Sequence, residues 1–289
     1  MKYILFFVQG GIGKHIAATA VAENIKKNYP DRNLIVLSSY PEVFLNNPFI
    51  YRAYKANSLQ YFYEDFLKNK DTIFLGYDPY LSNEFVTDKK HLIESWCDSF
   101  NLKYGEENPR LFLNQVELLK CFQKFKMDKP LLLLHTNGGN DNNPYNWARD
   151  LPEFLVIDII QQLKEKYKIL HIAREDQVSF ADTQKVFGDL RELFCLINLS
   201  DKRLFIDSFA QHAAAAIGKP SVVCWVTTKP EKLGYNIHDN ITPNNDAKIF
   251  THNIDSIVLE KDFIGLPHQC DYNISNLFKQ EEILNKLIN

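Results

Sequence analysis

The sequence contains no Cys-x-x-Cys pair, and its five cysteines, Cys97, Cys121, Cys195, Cys224 and Cys270, are odd in number and widely scattered. That spacing writes neither a disulfide framework nor a zinc site, and it fits a reducing compartment. Long apolar runs are also missing. The first run, Tyr3–Val8, stops at Gln9-Gly10-Gly11, short of a signal-peptide core, and no run approaches the ~20 residues of a membrane helix. Export and a membrane span are therefore not expected, and a cytoplasmic location is, in a bacterial or an infected host cell. Charge of one sign is scarce: 33 Lys+Arg stand against 36 Asp+Glu, a net charge of −3. This excludes the broad cationic surface of a tight, nonspecific nucleic-acid binder, though not a local basic patch. Low-complexity tracts and short-period repeats are absent.

What remains is a chain of 289 residues, 45% hydrophobic, long enough for two domains of ordinary size. Tyr3–Val8 reads as a strand, 15–28 as a helix with Ala17, Ala18, Val21, Ala22 and Ile25 near helical spacing, and Leu34–Leu37 as a second strand. Such a β-α-β unit requires a parallel sheet. Residues 59–69 and 89–104 are expected helical, 72–75 a strand, and 77–84 a loop. A Lys-rich amphipathic helix ends near Lys126–Pro130, where the apolar strand Leu131–Leu134 begins, and this places a domain boundary at 128/129. Alternation then resumes with a helix at 155–166, a strand at 169–172, a helix at 182–193 and a strand at 194–197. A strand at 204–206, a helix at 210–217 and a strand at 222–226 follow. At that boundary the net charge divides into +1 for the first part and −4 for the second.

Two segments invite chemistry. Gln9-Gly10-Gly11-Ile12-Gly13-Lys14-His15 lies between the first strand and the first helix, where backbone N–H groups hold anions or acceptor groups. It is not a P-loop, because Val8 and His15 stand where the Walker pattern needs Gly and Ser/Thr, and Ile16 breaks the dinucleotide G-x-G-x-x-G. Gly10, Gly11 and Gly13 either make only a tight turn or form an acceptor loop. A cation and a titratable base, Lys14 and His15, suit phosphate and proton-transfer work beside it. The second segment runs from Leu204 to Val223: a strand ends in Asp207-Ser208 and a small-residue helix follows. Its first N–H groups point to the carboxyl end of the sheet, a geometry that suits a pyrophosphate. Taken singly, Asp207 or Ser208 reads as a helix cap and His212 as a satisfied, half-buried residue.

The order of these pieces resembles the heptosyltransferase-type glycosyltransferases, glycosyltransferase family 9. The similarity rests on the opening strand, turn and helix ending in Tyr29-Pro30, on Glu42-Val43 and Asn47-Pro48, and on Leu131–His135 with Thr136-Asn137-Gly138 and Trp147. It is strongest in Asp207-Ser208-x-x-x-His212-x-Ala214-x-Ala216-x-Gly218-Lys219-Pro220, followed by Thr228-x-Pro230. The resemblance implies an α/β fold of GT-B architecture, two Rossmann-like domains with parallel sheets facing a central cleft. The acceptor-binding domain would be 1–128, with a C-terminal helix at 277–289 packing back on it, and the nucleotide-sugar domain 129–289.

By the same resemblance the protein is a glycosyltransferase acting by inverting, metal-independent displacement, with a nucleotide-sugar as co-substrate and no cofactor. Thr136, Asn137, Arg149, Arg174, Glu175, Asp207, Ser208, Phe209, His212 and Thr228 fall at donor-binding positions. The departures bear on mechanism. Gly13-Lys14 stands where the family carries Gly-Asp, whose Asp is the proposed base, and a protonated lysine cannot take a proton. Phe209 replaces a Gly, and Val226-Thr227 replaces Gly-Pro, so the donor pocket is reshaped. His15, Asp78 and Asp88 are the remaining candidate bases, with Lys14 beside them. The implied acceptor is a saccharide or lipopolysaccharide-type glycan. An Asn-, Lys- and Ile-rich composition also fits a phage enzyme that glycosylates 5-hydroxymethylcytosine in DNA, gripped by Lys14, Lys55, Lys68, Lys70, Lys89, Lys90 and nearby aromatics. From another class, an inactive nucleotide-binding scaffold accounts for the Asp-to-Lys change. An epimerase on the same fold would need paired acid and base residues that are not evident.

Overall fold

The computed structural model describes residues 1–87, 90–126, 128–138, 148–247 and 273–288. The chain forms two compact units, Met1–Phe112 and Leu113–Asn289.

In the first unit the elements are β1 (Lys2–Val8), α1 (Ile12–Asn28), β2 (Asn33–Ser38), β3 (Arg52–Lys55), α2 (Phe62–Phe66), β4 (Asp71–Leu75), α3 (Asn83–Thr87) and α4 (Leu92–Ser99). The sheet order is β3-β2-β1-β4, all parallel. Alternation along β1 sends Tyr3 and Leu5 to one face, against Phe62 and Phe66 of α2. Phe6 goes to the other, where its ring meets Trp96 at 5.4 Å and Phe100 at 5.8 Å, both edge-on. Helix α1 is buried nearly all round, including the polar Thr19, Glu23 and Asn24. These residues are not stranded, because the segment 103–110 lies against the helix and bonds to them. Arg110 N–H donates to Thr19 Oγ1 (2.9 Å), Gly105 N–H donates to Asn24 Oδ1 (3.2 Å), and Lys27 pairs with both Glu23 and Glu107.

The second unit contains α5 (Gln115–Phe125), β5 (Leu131–His135), α6 (Glu153–Leu163), β6 (Lys168–Ile172), β7 (Gln184–Val186), α7 (Leu190–Leu199), β8 (Lys202–Ile206), α8 (Phe209–Ile217), β9 (Val222–Cys224), α9 (Pro230–Leu233), β10 (Asp239–Ile241) and α10 (Gln280–Ile288). Its six strands run parallel in the order β10-β9-β8-β5-β6-β7. One face packs Leu132, Leu134, Leu204, Ile206 and Val222 against Val156, Ile159 and Ile160 of α6 and Ile283, Leu284 and Leu287 of α10.

Several expectations change. The division falls at 112/113 rather than 128/129, because α5 is stitched to α7 of the second unit. Asn114 and Glu117 form a capping box at its start, and the same Glu117 carboxylate takes a two-pronged contact from Arg191 (2.8 and 2.7 Å), while Lys124 pairs with Glu192. The C-terminal helix packs into the core of the second unit. The run 194–197, expected as a strand, is the middle of α7, because Asp189 caps a helix there by accepting from Arg191 and Glu192 N–H. The strand precedes it, at Gln184–Val186. The helices expected at 59–69 and 89–104 contract to α2 and α4, and β3 and β10 were not anticipated.

Candidate functional site

Strand order locates the chemistry. In each sheet the chain leaves the first strand in one direction and later returns to its other side, so a crevice opens beyond the carboxyl ends of the two strands flanking the reversal. In the second unit those strands are β5 and β8; in the first they are β1 and β4.

At the β5/β8 point, His135 ends one strand and Ser208 follows the other, and His135 Nδ1 lies 2.7 Å from Ser208 Oγ. Ser208 caps α8, its hydroxyl oxygen accepting from Ala210 N–H at 3.3 Å, so its own proton is left to donate to His135. Burial pushes the His135 pKa down to about 3, which keeps the ring neutral and able to accept. The Phe209 ring packs on His135 at 5.1 Å. Beside this pair, Asp207 accepts from Thr228 Oγ1 at 2.8 Å, and Arg149 Nε stands 4.0 Å from the same carboxylate. Thr227, one residue earlier, ties Ala148 O through both its backbone N–H and its hydroxyl. The residues around a capped helix N-terminus therefore converge from the ends of three strands and from the segment that carries Arg149.

Thr136 and Asn137 sit deeper than the sequence suggested. Thr136 is fully enclosed; its hydroxyl donates to Asn137 Oδ1 (2.9 Å) and receives His171 Nε2–H (3.1 Å). Asp150 accepts from Gly138 N–H (2.6 Å) and, at 3.5 Å, from the Asn137 amide. These bonds tie together the loop after β5. Burial holds His171 at a pKa of about 4, hence neutral. Arg174 turns its guanidinium to Asp176 (3.0 and 2.9 Å), and Glu175 is exposed. His212 is buried against Tyr235, whose hydroxyl lies 2.8 Å from its Nδ1. His135 was named only as the end of a family-like stretch, and His171, Asp150 and Tyr235 were not singled out from sequence; a polar residue at or next to the end of an otherwise apolar strand was the available signal for the two histidines.

At the β1/β4 point, Gly10 adopts φ +99°, a left-handed conformation that favours glycine, whereas Gly11 caps α1 in extended conformation and Gly13 already belongs to the helix. Lys14 is buried to 4% side-chain exposure, and its ammonium pairs with Asp78 Oδ1 at 2.7 Å. The rings of Tyr80 and Trp96 flank it at 5.1 and 5.7 Å. His15 is enclosed beside the same turn. It has no exposure, its ring nitrogens reach the carbonyl oxygens of Gly11 (2.9 Å) and Val8 (3.1 Å), and burial lowers its pKa more than those carbonyls raise it. A neutral ring donates to only one of those two carbonyls, tying the glycine turn near the end of β1, and its other nitrogen carries no proton. Asp88, Lys89 and Trp147 lie outside the described residues. Among the described residues no group of three or more His, Cys, Asp or Glu comes together to hold a metal ion, and no helix is long and apolar enough to cross a membrane.

No family model matches the chain, and no curated protein does. Solved structures do. The glycosyl transferase family 9 protein from Veillonella parvula superposes with a TM-score of 0.69 at 13% identity, covering 99% of this chain and 95% of that one. The ADP-heptose lipopolysaccharide heptosyltransferase II of E. coli gives 0.67 at 13% identity over 84% and 91%. E. coli heptosyltransferase WaaC, solved with ADP, gives 0.58 at 12% identity over 91% and 99%. The fold is that of these glycosyltransferases. The α/β architecture with two parallel sheets expected from sequence is thereby shown, and both switch points lie where such folds take their ligands.

Proposed function

We propose that the protein transfers a glycosyl group from a nucleotide diphosphate sugar to an acceptor hydroxyl, with the second unit holding the donor and the first the acceptor. The observation that carries this reading is the convergence of Asp207, Ser208, Thr228 and Arg149 on the N-terminus of α8 at the β5/β8 switch point. The orphan N–H groups and dipole of the helix suit a diphosphate, the nearby guanidinium offsets its charge, and the Asp207–Thr228 pair supplies acceptor oxygens for hydroxyls. Stabilising the departing diphosphate in this way leaves no step that calls for a metal ion, and direct attack by the acceptor inverts the anomeric carbon. Likeness to the ADP-heptose enzyme makes an ADP-linked sugar the first donor to try, and a saccharide the first acceptor.

The test is a panel of nucleotide-sugars offered with saccharides and with hydroxymethylcytosine DNA, read by mass spectrometry, with EDTA present and the product's anomeric configuration read by NMR. Transfer to saccharide, undiminished by EDTA, is expected. Asp207→Asn and Thr228→Val should each weaken ADP binding at least tenfold in calorimetry, about 1.4 kcal/mol. Undiminished ADP binding and transfer in Asp207→Asn would overturn the donor site. Nucleotide binding without transfer across the whole panel would mark a binding scaffold instead.

A further inference from the structure

The ion pair at the switch point of the first sheet has a form that folding alone does not explain. Lys14, from the helix that follows β1, and Asp78, from the loop that follows β4, reach across the reversal between those strands. The two partners are in unequal surroundings: the lysine side chain is 4% exposed and the aspartate 43%. Burying an ammonium is costly, and an apolar side chain of similar length would fill the same space between Tyr80 and Trp96 more cheaply. Asp78 does cap the short turn Pro79–Leu81 by accepting from Tyr80 N–H at 3.1 Å, but a cap needs no buried cation. Both contacts go to one oxygen. Oδ1 takes the Lys14 ammonium and the Tyr80 N–H, and among the described residues nothing bonds Oδ2. The carboxylate is thus pinned by one oxygen, on a side chain that keeps 43% of its surface exposed.

Resting on the transferase reading, we infer that Asp78 is the catalytic base for the acceptor hydroxyl and that Lys14 is its positioning residue. The acceptor hydroxyl donates to Asp78 Oδ2. As its oxygen forms the bond to the anomeric carbon, its proton passes to Oδ2, and the bond from that carbon to the diphosphate oxygen breaks, its electron pair leaving with the diphosphate. Lys14 takes no part in the bond changes; it fixes the direction in which Oδ2 points. His15 has no exposure for this work.

The experiment measures transfer and ADP affinity side by side in the full chain. Asp78→Asn should lower kcat at least 100-fold with ADP affinity and donor KM unchanged. Lys14→Met should lower kcat about tenfold with donor KM unchanged, a split that loosened folding does not produce. In Asp78→Ala, added formate should restore transfer in proportion to its concentration, and the same formate should do nothing for Asp207→Ala. Because Asp78→Asn strands a buried ammonium, the double variant Lys14→Met/Asp78→Asn is made alongside; it should melt like the wild type and be as inactive as the single variant. Transfer within threefold of wild type in Asp78→Asn or in the double variant overturns the inference and leaves the transferase reading standing. So does a folded Asp78→Ala chain that formate does not rescue. A wild-type chain that binds ADP and transfers to nothing overturns both.

Discussion

His135, His171 and His238 are each held neutral inside the second unit, with pKa values pushed by burial to about 3, 4 and 4. In the unfolded chain the same rings take up a proton near pH 6.5. Between those limits the unfolded state binds more protons, so their contribution to stability is whole above pH 6.5 and is lost as pH falls toward 4. At about 1.4 kcal/mol per pKa unit for each group, the urea midpoint should fall steeply across that interval. His171→Gln or His238→Gln should flatten the slope; an unchanged slope in both would mean that the rings are not buried neutral. The residue scale is also where sequence reading was weakest. Lys14 and His15 were legible as candidates beside a glycine turn, and Asp78 as one in the loop at 77–84. Which one faces inward against carbonyls and which one presents an oxygen depends on rotamer and burial, and neither is written in spacing.

Among the elements, α8 is the most constrained. Its start is held by Ser208, and its end by Gly218, which caps in the left-handed region at φ +75°. Ser208→Ala removes the cap and leaves His135 Nδ1 without a donor, and should cost about 1–2 kcal/mol by chemical denaturation. Gly218→Ala meets open space but keeps the strained φ, for about 1 kcal/mol. Gly234→Ala is of another kind: an added Cβ would stand 2.7 Å from Pro230 O and 2.9 Å from the Trp225 ring. Neither neighbour is free to swing away, so a larger loss of about 2–3 kcal/mol is expected. A smaller effect at Gly234 than at Gly218 would contradict this packing. Helix α8 was legible in sequence because its small residues, its cap and its glycine stop agree. Helix α7 was not, because a short apolar run such as Phe194–Ile197 satisfies strand and helix equally, and only the cap at Asp189 decides between them.

At the scale of the whole molecule, the chain divides after Phe112, and α5 and α10 belong to the second unit. A fragment spanning 113–289 should therefore unfold cooperatively, while one starting at 129 loses Cys121 and Phe125 from its core and the Glu117–Arg191 pair. It should melt lower by circular dichroism; equal melting would restore the later boundary. Ending the chain before α10 withdraws Ile283, Leu284 and Leu287 from the core, a loss of about 5 kcal/mol or more at ~1.5–3 kcal/mol per side chain. Against a typical total of about 5–15 kcal/mol, that should leave the second unit unfolded or nearly so.

The opening absences, of paired cysteines, long apolar runs and surplus charge, together with the recurrence of apolar strands and helices, were enough to determine the class: an α/β chain built on parallel sheets. Periodicity and turn chemistry are local properties, and the strands beginning at Tyr3, Leu131 and Leu204 announce themselves within a few residues. Strand order is not local. Only the tertiary structure set β1 beside β4 and β5 beside β8, and so brought Asp78 to Lys14 and Ser208 to His135 across 64 and 73 residues of chain. Those pairings depend on where a crossover returns, which is settled by the burial of whole helix faces and not by the residues that end up in contact.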